Sequence, residues 1–128
     1  MSNGLKAVFI IHAIVSVIFG IWLSFAPGSW ASANNWTPFD PAVTRTLGAL
    51  FLALAFQSYL GFRAKAYSQV RIIVQMEIAL TLLGVLAGLY EALISTAPAA
   101  IWINIVIFAA FAIAWIAVYS NSEKAKQS

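Results

Sequence analysis

The chain has 128 residues, of which 62% are hydrophobic and 9% charged, and its mean hydropathy is +0.91. A soluble domain of this size has too little interior to cover so many apolar side chains. The composition therefore excludes an ordinary soluble protein and predicts an integral membrane protein in contact with a lipid bilayer. The formal charge is +3, but the basic residues are scattered at segment ends, so no nucleic-acid surface is expected. Cysteine is absent, which excludes disulfides, thiolate metal sites and cysteine nucleophiles.

Four apolar segments predict four transmembrane helices, at residues 5–26, 41–62, 70–94 and 98–119. Each segment reaches or approaches the ~20 residues that cross about 30 Å of hydrocarbon. The segments are too long for membrane strands and lack sustained alternation. We therefore predict one domain, an all-α integral membrane four-helix bundle. A polar tail at residues 120–128 is expected to fray.

Turn-forming residues mark the ends of the spans. Pro27 and the glycine after it predict the end of span one, and a connector follows up to Asp40. Asp40 predicts an N-cap, and Pro41 suits the first position of span two.

The N-terminal segment also imitates a secretory signal peptide. Lys6 precedes an apolar run, and residues 31–33 match an A-x-A cleavage site. The apolar run is longer than the hydrophobic region of a typical signal peptide. We therefore expect span one to be retained as a membrane helix.

The orientation of the bundle is predicted from its basic residues. Six of the seven fall at one end of the spans, and only Arg45 falls at the other. Those six are Lys6, Arg63, Lys65, Arg71, Lys124 and Lys126. Because basic residues accumulate on the cytoplasmic side of membrane proteins, both termini are predicted to be cytoplasmic.

Eight aromatic side chains are predicted near the two membrane boundaries, where Trp and Tyr anchor membrane proteins. On the outer side these are Trp22, Trp30, Trp36 and Trp102. On the inner side they are Tyr59, Tyr67, Trp115 and Tyr119. An aromatic site for a quinone or a pigment is the alternative interpretation.

Three polar residues are predicted to lie at one depth. His12, Gln57 and Glu77 are each six residues from a cytoplasmic basic residue, which is ~9 Å along a helix. An ionised carboxylate at this depth costs several kcal/mol unless it is paired, hydrated or protonated. The layer either fixes the helix register or forms a proton-handling or ligand-binding pocket open to the cytoplasm. Contact with another subunit is a third possibility.

Small and polar residues share one face of span three, because they recur at steps of three and four. They are Glu77, Thr81, Gly84, Gly88 and Glu91. Gly84 and Gly88 form a G-x-x-x-G pattern, which permits close helix packing. Span one has a similar face with His12, Ser16, Gly20 and Ser24. We predict that spans one and three pack through these faces, although the same stripe could serve dimerisation or attachment to a larger complex.

An outer ion pair is predicted between Arg45 and Glu91, which should lie at similar heights. Asp40 is a competing partner for the guanidinium. The alternative is that each charge is solvated among the lipid head groups. If the pair is dry, removal of either partner would leave the other charge buried alone.

The sequence predicts no catalytic residue and no metal site. It has no phosphate-binding glycine loop, no H-E-x-x-H, no nucleophile elbow and no paired-carboxylate hydrolase site. One His near one Glu provides too few ligands for a metal ion. No cofactor is predicted, and ligation of a haem or a pigment by His12 is an alternative.

The Pro- and Trp-bearing outer loop, followed by the residues Arg-Thr-Leu-Gly-Ala at 45–49, resembles small uncharacterised four-helix membrane proteins of prokaryotes, including DoxX-like ones. The resemblance covers most of the chain in its organisation. DoxX-like proteins are associated in some cases with quinone-linked redox complexes. The resemblance thus implies an accessory subunit in a prokaryotic plasma (inner) membrane, and it implies no catalytic residue.

Three functions are compatible with these features. The leading prediction is a small non-catalytic membrane protein, accessory or structural, that packs against a membrane-protein partner or forms a homo-oligomer. The second is a proton-linked carrier or a quinone-type redox module, with Glu77 as proton acceptor and His12 as its partner. The third is a pigment- or haem-binding subunit.

Overall fold

The computed structural model describes residues 1–95 and 97–127, the last two by their backbone alone. Across these residues the chain forms helices and turns, with no strand. The long helices are α1 (Asn3–Phe25), α3 (Pro41–Arg63), α4 (Arg71–Ile94) and α5 (Ile101–Gln127). A short helix, α2 (Pro27–Ala33), and a 3-10 turn (Tyr67–Gln69) lie between them. All four long helices are long and apolar enough to cross a membrane, and the predicted all-α class is confirmed.

The predicted start of α3 is confirmed in its atomic detail. Asp40 Oδ1 accepts hydrogen bonds from the backbone N–H groups of Ala42 and Val43, at 2.7 and 3.1 Å. Pro41 occupies the first helical position, where a missing N–H leaves no bond unmade. The carboxylate thereby satisfies two of the amide groups that have no partner within the helix.

Two boundaries differ from the sequence prediction by three residues or more, and both belong to the last helix. Residues 98–100 form a turn, so the last helix begins at Ile101 rather than at Pro98. At its other end α5 continues through residues 120–127, which were expected to fray. Glu123 explains this extension, because both of its carboxylate oxygens accept hydrogen bonds from Arg71 at the start of α4. Residue 96 of the predicted outer link and residue 128 of the tail lie outside the described residues.

Two antiparallel hairpins make up the bundle, since α1 packs along α3 and α4 packs along α5. The predicted close packing of spans one and three, which are α1 and α4, is wrong. The glycines of each small-residue face instead pack within their own hairpin. A Cβ atom added to Gly20 would lie 2.7 Å from Leu52 Cδ2 of α3. One added to Gly88 would lie 2.7 Å from Ile105 Cγ1 of α5.

The two hairpins meet through large side chains at one end of the bundle. The residues of this apolar cluster are Leu5, Phe9, Val70, Val74 and Trp115. The start of α1, the end of α3 and the start of α4 lie at this end, which we call the basic end after Lys6, Arg63 and Arg71. The opposite end, which carries α2, is the far end. Trp115 is 0% exposed, so its predicted position in a boundary belt is wrong.

Candidate functional site

The polar layer is built around the carboxylate of Glu77, which lies 1% exposed between the two hairpins. Gln57 Nε2 of α3 donates a hydrogen bond to Glu77 Oε1 at 2.7 Å. His12 Nε2 of α1 lies 3.7 Å from Glu77 Oε2, a distance too long for a hydrogen bond. The structure thus brings together the three residues that the depth argument places at one level. Glu77 Oε2 has no hydrogen-bond partner among the described residues.

A fourth member of the layer, Ser58, is absent from the sequence prediction. Its Oγ lies 2.7 Å from His12 Nδ1, and the residue is 0% exposed. Either group can donate this hydrogen bond, depending on the tautomer of the imidazole. Ser58 follows Gln57 in the chain, but serine is frequent in membrane helices. The only available indication in the sequence was therefore its depth.

Aromatic edges fix the imidazole of His12. The centroid of the Phe111 ring lies 4.8 Å from the centroid of the imidazole, at an interplanar angle of 81°. The centroid of the Trp115 ring lies 5.7 Å from it, at an angle of 76°. One ring nitrogen contacts Ser58 and the other faces Glu77. Axial ligation of a haem or a pigment would have to displace one of these neighbours, so the geometry disfavours that alternative.

Metal binding finds no support in the layer. Over residues 1–95 and 97–127 there is no group of three His, Cys, Asp or Glu side chains that could hold a metal ion. His12 and Glu77 would supply two ligands, whereas a structural zinc site uses four. The described residues of the layer therefore supply fewer ligands than such a site uses, and hydrogen bonds join them instead.

A cavity of about 440 Å³ separates the two hairpins on the far side of the polar layer. His12 and Thr81 line the end next to the layer, and Glu91 and Trp30 line the other end. Thr81 and Glu91 are ten residues apart, which corresponds to ~15 Å along α4. Most of the remaining wall is apolar or aromatic.

The position of this cavity corrects the predicted pocket, which was expected to open at the cytoplasmic, basic end. The cavity extends from His12 toward the far end instead. On the basic side of the layer, the apolar cluster fills the space between the hairpins with Leu5, Phe9 and Trp115. Large side chains therefore close one side of the layer and a cavity adjoins the other.

A second depression reaches the layer from the side. It has a volume of about 370 Å³ and lies between α3 and α4. Its wall includes Gln57 and Glu77 together with apolar residues such as Leu54, Met76 and Leu83. The bonded pair of Gln57 and Glu77 thus lies between the interior of the bundle and its apolar flank.

The predicted ion pair between Arg45 and Glu91 is not formed. Arg45 is exposed on α3, and neither residue takes part in a salt bridge with another described residue. Asp40, the competing partner, caps α3. Glu91 is half-buried and lines the cavity, so its carboxylate and the Arg45 guanidinium are directed to different surroundings.

The ion pair that does form lies at the basic end. Arg71 Nε and Nη2 donate to the two Glu123 oxygens at 2.8 and 3.1 Å. Burial, and then the neighbouring Glu123 carboxylate, raise the pKa of Tyr67 to about 12. Gln75 Nε2 donates to Tyr119 Oη at 3.2 Å and adds a further link between α4 and α5. Glu123 lies in the tail for which the sequence predicts fraying, so the sequence offers no partner for it.

Searches of protein families, of curated proteins and of solved structures find no match to this chain. The resemblance to DoxX-like proteins accordingly stays a prediction. Functional inference rests on the polar layer and on the cavity next to it.

Proposed function

We propose that this chain is an integral membrane protein that binds a small, largely apolar molecule of the lipid phase in the cavity between its hairpins. The carrying observation is the cavity itself, about 440 Å³ in volume, lined by aromatic rings and by a few polar groups that include His12. Ligand pockets typically measure roughly 300–1,000 Å³ and combine apolar walls with a few converging polar groups. The cavity fits this description.

Insertion in a membrane is supported by four helices of sufficient length and hydropathy. The basic end carries Lys6, Arg63 and Arg71, and this charge bias favours a cytoplasmic basic end with both termini inside. In that orientation the cavity lies on the outer side of the polar layer. A prokaryotic plasma membrane remains part of the proposal through the resemblance alone.

A proton-linked carrier or quinone-type redox module is the second candidate, and one observation favours it. Glu77 Oε2 is buried, has no hydrogen-bond partner in the part of the chain that the structure describes, and lies beside His12, which forms part of the cavity floor. Ionisable groups inside membrane helices commonly mark proton or ligand pathways. Protonation of Glu77 would remove a buried charge and change the contact with His12, which would couple the floor to proton uptake.

The accessory-subunit function that led the sequence predictions also stays a proposal, but its motivation is weaker. The small-residue faces that suggested a partner are occupied within the chain, because Gly20 contacts Leu52 and Gly88 contacts Ile105. Ser16 is 1% exposed and lies at the cavity wall. A membrane-protein partner or a second copy would have to use other faces of the bundle.

The test of cavity binding fills the cavity without disturbing packed side chains. Ala87 lines the cavity and is exposed, so Ala87→Phe has room to place its ring there. Ala110→Phe is the matched control, because Ala110 is exposed on α5 and lines neither the cavity nor the lateral depression. Each protein is purified from membranes in a mild detergent, and the small molecules that accompany it are quantified by mass spectrometry. We expect a molecule that accompanies the wild type and Ala110→Phe but is lost from Ala87→Phe; equal content in all three would contradict the proposal.

A further inference from the structure

The wall of the cavity is unusually rich in aromatic rings. Five of them line a space of about 440 Å³. They are Phe19, Trp30, Phe51, Phe108 and Phe111. The faces of aromatic rings carry negative electrostatic potential, so such walls attract organic cations as well as apolar groups.

The cavity wall carries a carboxylate and, among the described residues, no permanently charged cation. Glu91 lines the end away from the polar layer, and no described Lys or Arg lines the cavity. Arg45, the basic residue at the far end, is exposed and forms no salt bridge with Glu91. Asn104 adds a neutral polar group to the wall. An anionic ligand would therefore meet a carboxylate without a compensating cation, whereas a cation would find a carboxylate available to pair with it.

From this combination we propose that the cavity takes an amphipathic organic cation, with its positive charge beside Glu91 and its apolar body between the aromatic rings. The inference rests on the proposed function, because it names the chemical class of the ligand for the same cavity. The half-buried position of Glu91 matters here. A carboxylate shielded in part from water interacts more strongly with a bound cation than a fully solvated one does. The aromatic wall then supplies the apolar contact that a small inorganic cation could not use.

Three probes of similar shape separate charge from hydrophobicity. They are tetraphenylphosphonium, which is cationic, tetraphenylborate, which is anionic, and tetraphenylmethane, which is neutral. Their binding to the full chain is measured by equilibrium dialysis in a non-ionic detergent at low salt, with empty micelles subtracted. We expect the phosphonium to bind most tightly, and Glu91→Gln to weaken its binding about tenfold while the neutral probe is unaffected.

A control variant distinguishes a local carboxylate from the general charge of the far end. Arg45→Gln removes a charge of the opposite sign from the same end, but from an exposed position off the cavity wall. We expect it to leave phosphonium binding within about twofold, because an exposed charge off the cavity wall acts on the bound cation through water of high dielectric constant. If Arg45→Gln strengthens phosphonium binding as much as Glu91→Gln weakens it, the affinity depends on the general electrostatic potential of the far end. The assignment of the cation site to Glu91 is then wrong.

The outcomes also separate this inference from the proposed function. One outcome is that the phosphonium and the neutral probe bind with equal affinity, that neither binds Ala87→Phe, and that Glu91→Gln changes neither affinity. In that case the cavity binds apolar molecules without selecting cations. That result overturns the inference and leaves the proposed function standing. If no probe distinguishes Ala87→Phe from Ala110→Phe, the cavity is not a binding site and both fail. Circular dichroism and gel filtration establish that each variant is folded.

Discussion

The interface between the two hairpins has two halves with different packing. At the basic end Leu5, Phe9, Val74 and Trp115 are each 0% exposed and fill the space between the hairpins. Toward the far end the same pair of hairpins lines a cavity of about 440 Å³. Both halves are apolar, so hydropathy does not explain the difference. Side-chain size and helix pairing do, because large residues bridge the hairpins at one end while the glycines of α4 draw that helix toward α5.

The polar layer lies at the border of these two halves, and its position gives it one closed side and one open side. Glu77 bonds Gln57 of the other hairpin, and His12 bonds Ser58 within its own. The packed half holds these groups at fixed positions. The cavity beyond them leaves room for a ligand to reach the imidazole. The packed half and the cavity thus adjoin the polar layer on opposite sides.

The largest expected effect comes from emptying the packed half. Trp115→Ala should lower the free energy of unfolding by about 3–5 kcal/mol, because it removes the largest buried side chain and leaves a void. Thermal or denaturant unfolding in detergent measures the loss. Trp102→Ala is the matched control, since Trp102 is 50% exposed and should cost far less. Equal losses of unfolding free energy for the two variants would show that the packed half does not stabilise the protein more than its exposed surface does.

Glycine substitutions compare a tight backbone contact with a contact beside the cavity. A Cβ at Gly48 would lie 2.6 Å from the Ser24 backbone nitrogen, and a helix backbone cannot move aside. Gly48→Ala should therefore cost about 3 kcal/mol, the upper range for overpacking. A Cβ at Gly84 would meet the Phe108 ring, which borders the cavity and can rotate into it. Gly84→Ala should cost clearly less in the same unfolding assay, and the reverse order would contradict the assigned packing.

Substitutions in the polar layer test whether the hydrogen bond from Gln57 to Glu77 or the charge of the Glu77 carboxylate is required for folding and activity. Gln57→Leu removes the donor to Glu77 Oε1 and leaves the buried carboxylate without a hydrogen bond, at a cost of about 1–2 kcal/mol. Glu77→Gln keeps a polar side chain of the same shape, so the folded yield should be retained. If the layer handles protons, Glu77→Gln should abolish transport or redox activity despite normal folding. A collapse of its folded yield would instead show that the carboxylate is structural.

The smallest effect is expected for the ion pair at the basic end. Arg71→Gln and Glu123→Gln should each slightly lower the melting temperature, because the two side chains are 46% and 25% exposed and ion pairs in contact with water contribute little. The double variant should lose little more than either single variant, since the hydrogen bonds are already broken. Strictly additive losses would indicate that Arg71 and Glu123 do not stabilise the contact between α4 and α5 by pairing with each other. Faster hydrogen exchange of the backbone amides of residues 120–125 in either variant would report the loss of the same contact directly.

Some features of the site could be predicted because they depend on counting along single helices. His12, Gln57 and Glu77 share a depth, and residues at one depth on three helices of a bundle can meet at its axis. The N-cap by Asp40 was equally predictable, since its bonds span three residues. Arg45 and Glu91 have similar depths as well, yet they do not pair. Depth is therefore necessary for contact but does not fix the direction in which a side chain points.

Sequence alone determined four helices, most of their boundaries and the level of the polar layer, because each follows from local hydropathy and helical rise. Only the tertiary structure decided that α1 pairs with α3, that Ser58 contacts His12, that Trp115 is buried and that a cavity adjoins the layer. In water, the boundary between apolar and polar faces indicates which side of a helix is buried. In a chain as apolar as this one that contrast is weak, because lipid tails and leucine side chains are alike. The rotation of each helix is then fixed by side-chain shape and by a few hydrogen bonds, which become apparent only when the helices are packed together.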